Sequence, residues 1–217
     1  MIPTDNGTIN YRDELVRKLI HLCSLSIPVI YYFIPRSDAI IILSILTSVA
    51  LLIDVPRYYS KTAERIFNKL FGFLLRQHET DKKKKNLTGA TYVLISALLG
   101  VVILPKLLFI TAFSILIISD SLAALVGRKF GKHRFLAKSL EGTLAFFISA
   151  SIVVFFTPKV EWLAEEYVIG IVASAVGAVA ENISFGIADD NLSIPLSIGL
   201  TMWALYLIFL PHINLTV

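Results

Sequence analysis

Several acidic side chains interrupt or end the apolar stretches of this 217-residue chain. Asp120 follows the apolar residues 115–118, Glu181 lies deep in a later stretch, and Asp190 follows it closely. A charge at the centre of a bilayer costs at least about 2.5–3.5 kcal/mol on insertion scales, so such residues usually have a function. Carboxylates in these positions are suited to bind a divalent cation such as Mg²⁺.

Basic residues and glycines follow Asp120 along the chain. The basic side chains can neutralise phosphate, and the glycines let the backbone approach a ligand closely. A serine can cap a helix here, and the free N–H groups at the start of that helix can bind an anion. With the acids, this segment predicts a Mg²⁺–nucleotide site, in which carboxylates hold the metal and basic groups hold the phosphates. Its candidate residues are Gly127, Arg128, Lys129, Gly131, Lys132, Lys138, Ser139, Glu141, Gly142 and Thr143.

Structural explanations compete with this hypothesis. Asp120 and Glu181 could be ions that pair with lysine or arginine inside a helix bundle, and the basic segment could serve only to orient the protein in a membrane. His21, one helical turn from Arg17, could be an interfacial histidine without chemistry. A stripe of small residues before Glu181 is most simply explained by close helix packing; it consists of Gly170, Ser174 and Gly177.

The elements that position these residues are predicted to be membrane helices. Apolar residues make up 56% of the chain and charged residues 17%, whereas soluble domains average about 45–50% and about 25%. This composition excludes intrinsic disorder, a disulfide scaffold and an ordinary soluble domain. It predicts one integral membrane domain over residues 1–217, an all-α polytopic bundle of about seven transmembrane helices. The seven apolar stretches are residues 19–34, 39–53, 87–104, 107–126, 140–156, 167–188 and 192–210.

The distribution of lysine and arginine predicts how the bundle is oriented. Of the 20 basic residues, 17 lie in three segments: before the first span, between spans two and three, and between spans four and five. Because seven spans alternate across the membrane, these three segments lie on the same side. Since basic residues collect in cytoplasmic loops, we expect a multi-pass protein with a cytoplasmic N-terminus and a site that faces the cytoplasm. The basic loops are expected to attract anionic lipid, and no nucleic-acid partner is expected.

Residues 62–75, between spans two and three, are expected to form a further helix. Ile66, Leu70, Phe73 and Leu74 repeat at helical spacing with basic residues between them. This pattern is typical of an amphipathic helix on the cytoplasmic leaflet, and a connecting helix packed on the bundle is the alternative.

Three motifs occur in order along the chain. The first runs from Glu14 to His21, the second from Asp120 to Lys132 and on from Lys138 to Thr143, and the third combines Glu181 with residues 189–192 and 195. Together they resemble the motifs of the polyprenol kinase family, which comprises dolichol kinase, phytol kinase and CTP-dependent diacylglycerol kinase. That family is distantly related to phosphatidate cytidylyltransferases.

The resemblance implies transfer of the γ-phosphoryl group of CTP to the hydroxyl of a membrane lipid alcohol, such as a polyprenol, dolichol, diacylglycerol or phytol-like alcohol. It implies catalytic roles for Asp120, Glu181 and His21, and Mg²⁺ binding by Asp120, Glu181 and Asp190. Besides the candidate residues of the central segment, the resemblance implies that Arg17, Lys18 and Asn191 bind the nucleotide.

Two other functions remain open at the level of sequence. A CTP:phosphatidate cytidylyltransferase would use the same nucleotide and metal to make a CDP-lipid. An ion-coupled transporter would use the intramembrane acids for coupling. The acids collect on one side of the predicted bundle and no internal repeat is visible, which argues against the transporter.

Overall fold

The computed structural model describes residues 11–72, 86–183 and 189–215. Most of them are helical, because the chain is rich in apolar residues whose backbone groups must be paired within each segment in a membrane. The α-helices are α1 (Tyr11–Cys23), α2 (Ser26–Phe33), α3 (Arg36–Asp54), α4 (Lys61–Phe71), α5 (Gly89–Ile103), α6 (Lys106–Ile115), α7 (Ser121–Phe130), α8 (Leu140–Phe156), α9 (Ala164–Ile183) and α10 (Asp190–Phe209). A 3-10 turn (Val55–Tyr58) follows α3, a π-helical segment (Leu116–Asp120) joins α6 to α7, and a short hairpin of β1 (Arg134–Phe135) and β2 (Lys138–Ser139) precedes α8.

The predicted all-α membrane bundle is confirmed. Five helical stretches are long and apolar enough to cross a membrane: Glu14–Phe33, Arg36–Tyr58, Lys106–Phe130, Ala164–Ile183 and Asp190–Phe209. Two shorter apolar helices, α5 and α8, correspond to the remaining predicted spans. The predicted order of seven apolar segments is therefore present along the chain.

The stretch formed by α6, the π-helical segment and α7 is the centre of the bundle. In the most apolar part of this stretch, 72% of the residues are buried inside the protein. The corresponding share is 17% for the span formed by α1 and α2 and 22% for the span formed by α3 and the 3-10 turn. Around this centre, α10 packs on α9, α5 and α6, while α8 packs on α7 and α9. Asp120 therefore lies on the most buried of the five candidate spans.

Small residues bring the outer helices together, as the stripe on α9 predicts. A Cβ atom at Gly170 would lie 2.6 Å from Val154 of α8, and one at Gly177 would lie 2.6 Å from Ile198 of α10. The Ser174 hydroxyl donates to the Gly170 carbonyl at 2.8 Å, so its polar group is satisfied within α9. The packing explanation of this stripe is confirmed.

Some boundaries differ from those that the sequence predicts. The first span is divided into α1 and α2, because Pro28 in the first turn of α2 lacks the N–H that would continue the helix. The basic glycine segment begins inside α7, which extends to Phe130, and the hairpin after it is not foreseen. Helix α4 agrees with the predicted amphipathic helix as far as Phe71; Phe73, Leu74 and Lys82–Lys85 lie outside the described residues.

Candidate active site

Asp120 forms a buried ion pair with Lys18. The two residues lie 102 positions apart in sequence, and only 2% of Lys18 and 5% of Asp120 is exposed. Asp120 ends the π-helical segment, where the backbone leaves the regular α-helical hydrogen-bond pattern, and such segments are frequent at functional sites. The adjacent Ser121 hydroxyl donates to the Ile117 carbonyl at 2.7 Å and so pairs one carbonyl of this segment.

Lys138 lies between two other acids. Its Nζ donates to Glu181 Oε1 at 2.6 Å and to Asp190 Oδ2 at 3.1 Å. Burial disfavours the charge on Lys138, but the carboxylates of Asp190, Glu181 and Asp120 outweigh burial and raise the pKa of this ammonium above its ordinary value. Lys138 therefore stays charged at every physiological pH.

The two ion-pair groups form one cluster. Asp120 interacts electrostatically with Lys18, with Lys138 and with His21, and Glu181 interacts with Asp120. We call the five charged residues the lysine–carboxylate cluster: Lys18, Asp120, Lys138, Glu181 and Asp190.

The hairpin that carries Lys138 is held by Asn182, a residue that the sequence reasoning missed. Asn182 is fully buried, and its Oδ1 accepts hydrogen bonds from the backbone N–H groups of Ala137 at 2.8 Å and Lys138 at 3.1 Å. Its Nδ2 donates to Thr143 Oγ1 at 2.7 Å, which ties α9 to α8 as well. Its position next to Glu181 in an apolar helix was the signal that could have identified it.

Glu14 is a second residue absent from the predicted site. Only 1% of it is exposed, and its carboxylate pairs with Arg17 and lies 3.5 Å from Arg128. It therefore joins α1 to the end of α7 and holds two arginines beside Lys18. Its place in the first motif was the available signal.

The glycines of the central motif serve helix packing around Ser139. Ser139 caps α8 as predicted, since its Oγ accepts from the Gly142 N–H at 3.2 Å. A Cβ atom at Gly127 would lie 3.0 Å from Ser139 Oγ, and one at Gly142 would lie 3.1 Å from the Ala123 carbonyl. Such close approach of α7 and α8 places the hairpin directly against both helices. Thr143, one turn into α8, donates to the Ser139 carbonyl at 3.1 Å.

Other predicted residues lie at the surface near the hairpin. Lys129 and Lys132 are exposed, and Lys129 lies over the Phe130 ring at 5.3 Å. The Glu141 carboxylate pairs with the His133 ring at 2.8 Å and accepts from the His133 N–H at 3.2 Å, so it fixes the start of the hairpin. None of these three side chains contributes an ion pair to the lysine–carboxylate cluster among the described residues.

A cavity of about 270 Å³ lies beside the cluster, between α1, α3, α4, α5 and the start of α10. Arg17 and His21 line it together, which confirms that they share one face of α1. Asn191 lines it from α10, where its own N–H and Nδ2 donate to the capping residue Asp189 at 3.0 and 2.7 Å.

Two known proteins are similar to this chain over most of their length. Uncharacterized protein RP860 of Rickettsia prowazekii is 35% identical over 195 residues, which cover 88% of this chain and 93% of that protein. The chain belongs to the family of RP860. Uncharacterized protein MJ1137 of Methanocaldococcus jannaschii is 30% identical over 188 residues, covering 84% of this chain and 88% of that protein. No family model and no solved structure matches the chain.

The donor set of this RP860-family protein fits a metal that arrives with a ligand. Within residues 11–72, 86–183 and 189–215, no three histidine, cysteine or carboxylate side chains come together as a metal site of their own. Mg²⁺, however, usually binds one or two carboxylates together with substrate phosphates. Glu181 and Asp190, which contact the same ammonium, supply such a pair of carboxylates.

Proposed function

We propose that this chain is a lipid kinase that transfers the γ-phosphoryl group of CTP to the hydroxyl of a membrane lipid alcohol. The observation that carries the proposal is the lysine–carboxylate cluster, whose members come from α1, the π-helical segment, the hairpin, α9 and α10. Buried ion pairs contribute little net stability, because the cost of removing two charges from water offsets their attraction. A cluster of five charges, three of them buried, is therefore better explained by a charged ligand, and the three-motif resemblance to polyprenol kinases supplies the reaction.

The lysines of the cluster are suited to bind phosphate. Lys18 and Lys138 are held by carboxylates, and their ammonium groups can exchange those partners for the phosphate oxygens of CTP. Arg17 and Arg128, which Glu14 holds beside α1, add positive charge at the same end. Phosphoryl transfer needs mainly positioning and charge neutralisation, which such a group of residues provides.

The carboxylates released by this exchange would bind Mg²⁺. Glu181 and Asp190, which contact the same ammonium, would hold the ion together with the phosphates of the donor, whose charge it would neutralise, and of the three predicted metal ligands Asp120 is left to act as a base. In the transfer, the lipid hydroxyl oxygen bonds to the γ-phosphorus, the bond to the β-phosphate oxygen breaks, and CDP leaves. The hydroxyl proton passes to a base of this chain, and the candidates are His21, which lines the cavity, and Asp120, which ends the π-helical segment.

The proposed orientation places this end of the bundle in the cytoplasm, where CTP is available. The supporting observation is that 17 of the 20 basic residues lie on one side of a seven-span alternation. In a background that carries Cys23→Ser, single cysteines at Lys83 and Val217 should react with impermeant reagents from opposite sides of sealed vesicles. Reaction of both positions from the same side would contradict the orientation.

Product analysis tests the reaction. Purified protein in nanodiscs receives Mg²⁺ and CTP labelled at the γ-phosphate, together with a polyprenol, phytol or diacylglycerol. We expect labelled phospholipid and CDP. Pyrophosphate and a CDP-lipid, formed when phosphatidate is supplied instead, would establish a cytidylyltransferase, and no nucleotide turnover with any lipid would exclude both enzymes.

A further inference from the structure

The cavity beside the cluster has one polar wall and one apolar wall. Asp54, Thr88 and Thr91 lie in its lining but bond mainly to each other, since Asp54 Oδ2 accepts from the Thr88 N–H at 2.7 Å and from the Thr91 hydroxyl at 2.8 Å. The polar wall consists of Arg17, His21 and Asn191, and the apolar wall of Ile20, Ala50 and Ile53.

Two residues of the apolar wall are half-exposed. Ile20 of α1 is 49% exposed and Ile53 of α3 is 51% exposed, on the two least buried of the five candidate spans. In a bilayer, such surface faces acyl chains, so the cavity is bordered by lipid on the side between α1 and α3.

Phe67 and Arg57 pack together at the end of the cavity near α4. Phe67 of α4 lines the cavity, is only 7% exposed, and lies 4.9 Å from the guanidinium of Arg57. Arg57 is itself fixed, since its Nε lies 2.8 Å from Asp54 and its Nη2 donates to the Asn86 carbonyl at 2.7 Å. These contacts fix the α4 side of the cavity, so the apolar lining from α1 and α3 is the side at which an acyl chain would enter.

The polar wall adjoins the lysine–carboxylate cluster. Arg17 directly precedes Lys18, and Asn191 directly follows Asp190. His21 lines the cavity and interacts electrostatically with Asp120. A hydroxyl group at this wall would therefore lie beside the groups that we propose to bind the phosphates and accept the proton.

We infer that this cavity binds the hydroxyl-bearing end of the acceptor lipid, which enters sideways from the bilayer between α1 and α3. This inference rests on the proposed kinase function. The hydroxyl faces Arg17, His21 and Asn191, and the first carbons of the chain lie along Ile20, Ala50 and Ile53. The remainder of the chain stays in the bilayer, since the cavity volume of about 270 Å³ is near the lower end of ordinary ligand pockets.

Photo-crosslinking in nanodiscs tests this inference without requiring turnover. A long-chain isoprenoid alcohol with a diazirine near its hydroxyl is irradiated with the protein, and the labelled peptides are identified. We expect labelling of α1 and α3 around Ile20 and Ile53. Ala50→Phe, which fills the cavity, should lower this labelling at least tenfold, whereas Ala175→Phe on the exposed face of α9 should leave it unchanged.

A second variant and a competition extend the test. Ile20→Trp narrows the opening from a half-exposed position, so its effect does not depend on repacking the core; it should also reduce labelling and raise the KM for lipid while leaving the KM for CTP unchanged. Unlabelled geranylgeraniol or diacylglycerol should displace the probe, and the stronger competitor identifies a single-chain or a two-chain substrate.

The two proposals can fail separately. Labelling spread evenly over the lipid-facing surface, equal in wild type and Ala50→Phe, would overturn the cavity inference whether or not the protein transfers phosphate. Specific cavity labelling without phosphoryl transfer from any nucleotide would leave the cavity inference standing and overturn the proposed kinase function.

Discussion

The two ends of the bundle bury charge in different ways. At one end lies the lysine–carboxylate cluster; at the other lies the loop between α8 and α9, where Lys159 is 5% exposed and Glu166 is fully buried. We call Lys159, Glu166 and the residues between them the buried loop. Glu166 accepts hydrogen bonds from the N–H groups of Val160 and Leu163 at 2.8 and 2.9 Å, and from the Tyr206 hydroxyl at 2.8 Å.

The partners of the buried loop are mainly the backbone close by in sequence. Lys159 donates to the carbonyls of Val154 and Thr157 at 2.6 Å each, and Glu166 holds the backbone around Trp162, whose φ of 61° lies in the left-handed region. Backbone groups cannot leave such contacts without unfolding the loop. These charges are therefore used for structure.

The partners in the cluster are side chains from distant parts of the sequence. Lys18 and Asp120 lie 102 positions apart, and Lys138 lies 43 positions from Glu181. Flexible ammonium groups can exchange a carboxylate for a phosphate without disturbing the backbone. Burial of charge is therefore common to both ends, and the cluster differs in having exchangeable side-chain partners that converge from several helices.

The largest expected effect follows from removing a carboxylate of the cluster. Asp120→Asn keeps the size of the side chain but removes the charge, and turnover should fall about a hundredfold or more, as for loss of a major electrostatic element. Lipid phosphorylation measured against Mg²⁺ concentration checks this. Near-native turnover with unchanged Mg²⁺ dependence would make Asp120 a structural ion and remove the distinction between the two ends.

A smaller effect is expected on nucleotide affinity. Lys138→Ala should weaken CTP binding about tenfold or more, because hydrogen bonds to charged groups contribute about 1.5–3 kcal/mol. Lys138→Arg, which restores the charge, should recover part of the affinity, and Lys61→Ala on the exposed face of α4 should have no effect. Equilibrium binding of labelled CTP to each variant measures this, with thermal melting to confirm the fold. Unchanged CTP affinity in folded Lys138→Ala would contradict the assignment.

The smallest effect concerns the pH dependence of stability at the buried loop. Burial lowers the pKa of Lys159 from 10.5 to about 8, with Glu166 acting in the opposite direction. The folded protein therefore releases this proton near pH 8, whereas the unfolded chain holds it up to about pH 10.5, so stability rises with pH across this window. Lys138 has a raised pKa, so its stabilising charge is fully present throughout the same window.

Melting temperatures between pH 7.5 and 10 test this difference. Relative to Lys159→Met, the wild type should gain stability as the pH increases. The same change in both proteins would show that Lys159 is not the responsible group. Turnover per folded molecule should be equal in the two proteins at pH 7.5.

The spans were predictable because an apolar stretch of sufficient length is a local property of the sequence. The same holds for the Ser139 cap and for the pairing of Asp54 with Arg57 one turn away, at 2.8 Å. The convergence of Lys18 on Asp120 depends instead on which helices become neighbours, and no local pattern encodes that.

The site residues that the sequence does not predict have partners in distant parts of the chain. Asn182 holds a hairpin 44 and 45 positions earlier, and Glu14 reaches Arg128 on another helix. Lys159 and Glu166 stood among other charges outside the spans, and their burial arises only because the loop folds back onto the ends of α8, α9 and α10. The three motifs contain the five residues that the structure brings together, but they do not predict which of these residues contact each other.

A matched pair of carboxylate variants tests the central claim most directly. Glu181→Gln and Glu166→Gln each neutralise one buried glutamate of α9, at opposite ends of the same helix. Turnover and melting temperature are measured for both in the same nanodiscs. Glu181→Gln should lose about a hundredfold in turnover and remain stably folded. Glu166→Gln should keep its turnover per folded molecule but lose stability, because the NH₂ group of its amide would face backbone N–H donors. Each polar group left without a partner should cost about 1–3 kcal/mol of folding stability. Full activity in Glu181→Gln, with the loss of turnover in Glu166→Gln instead, would contradict the account.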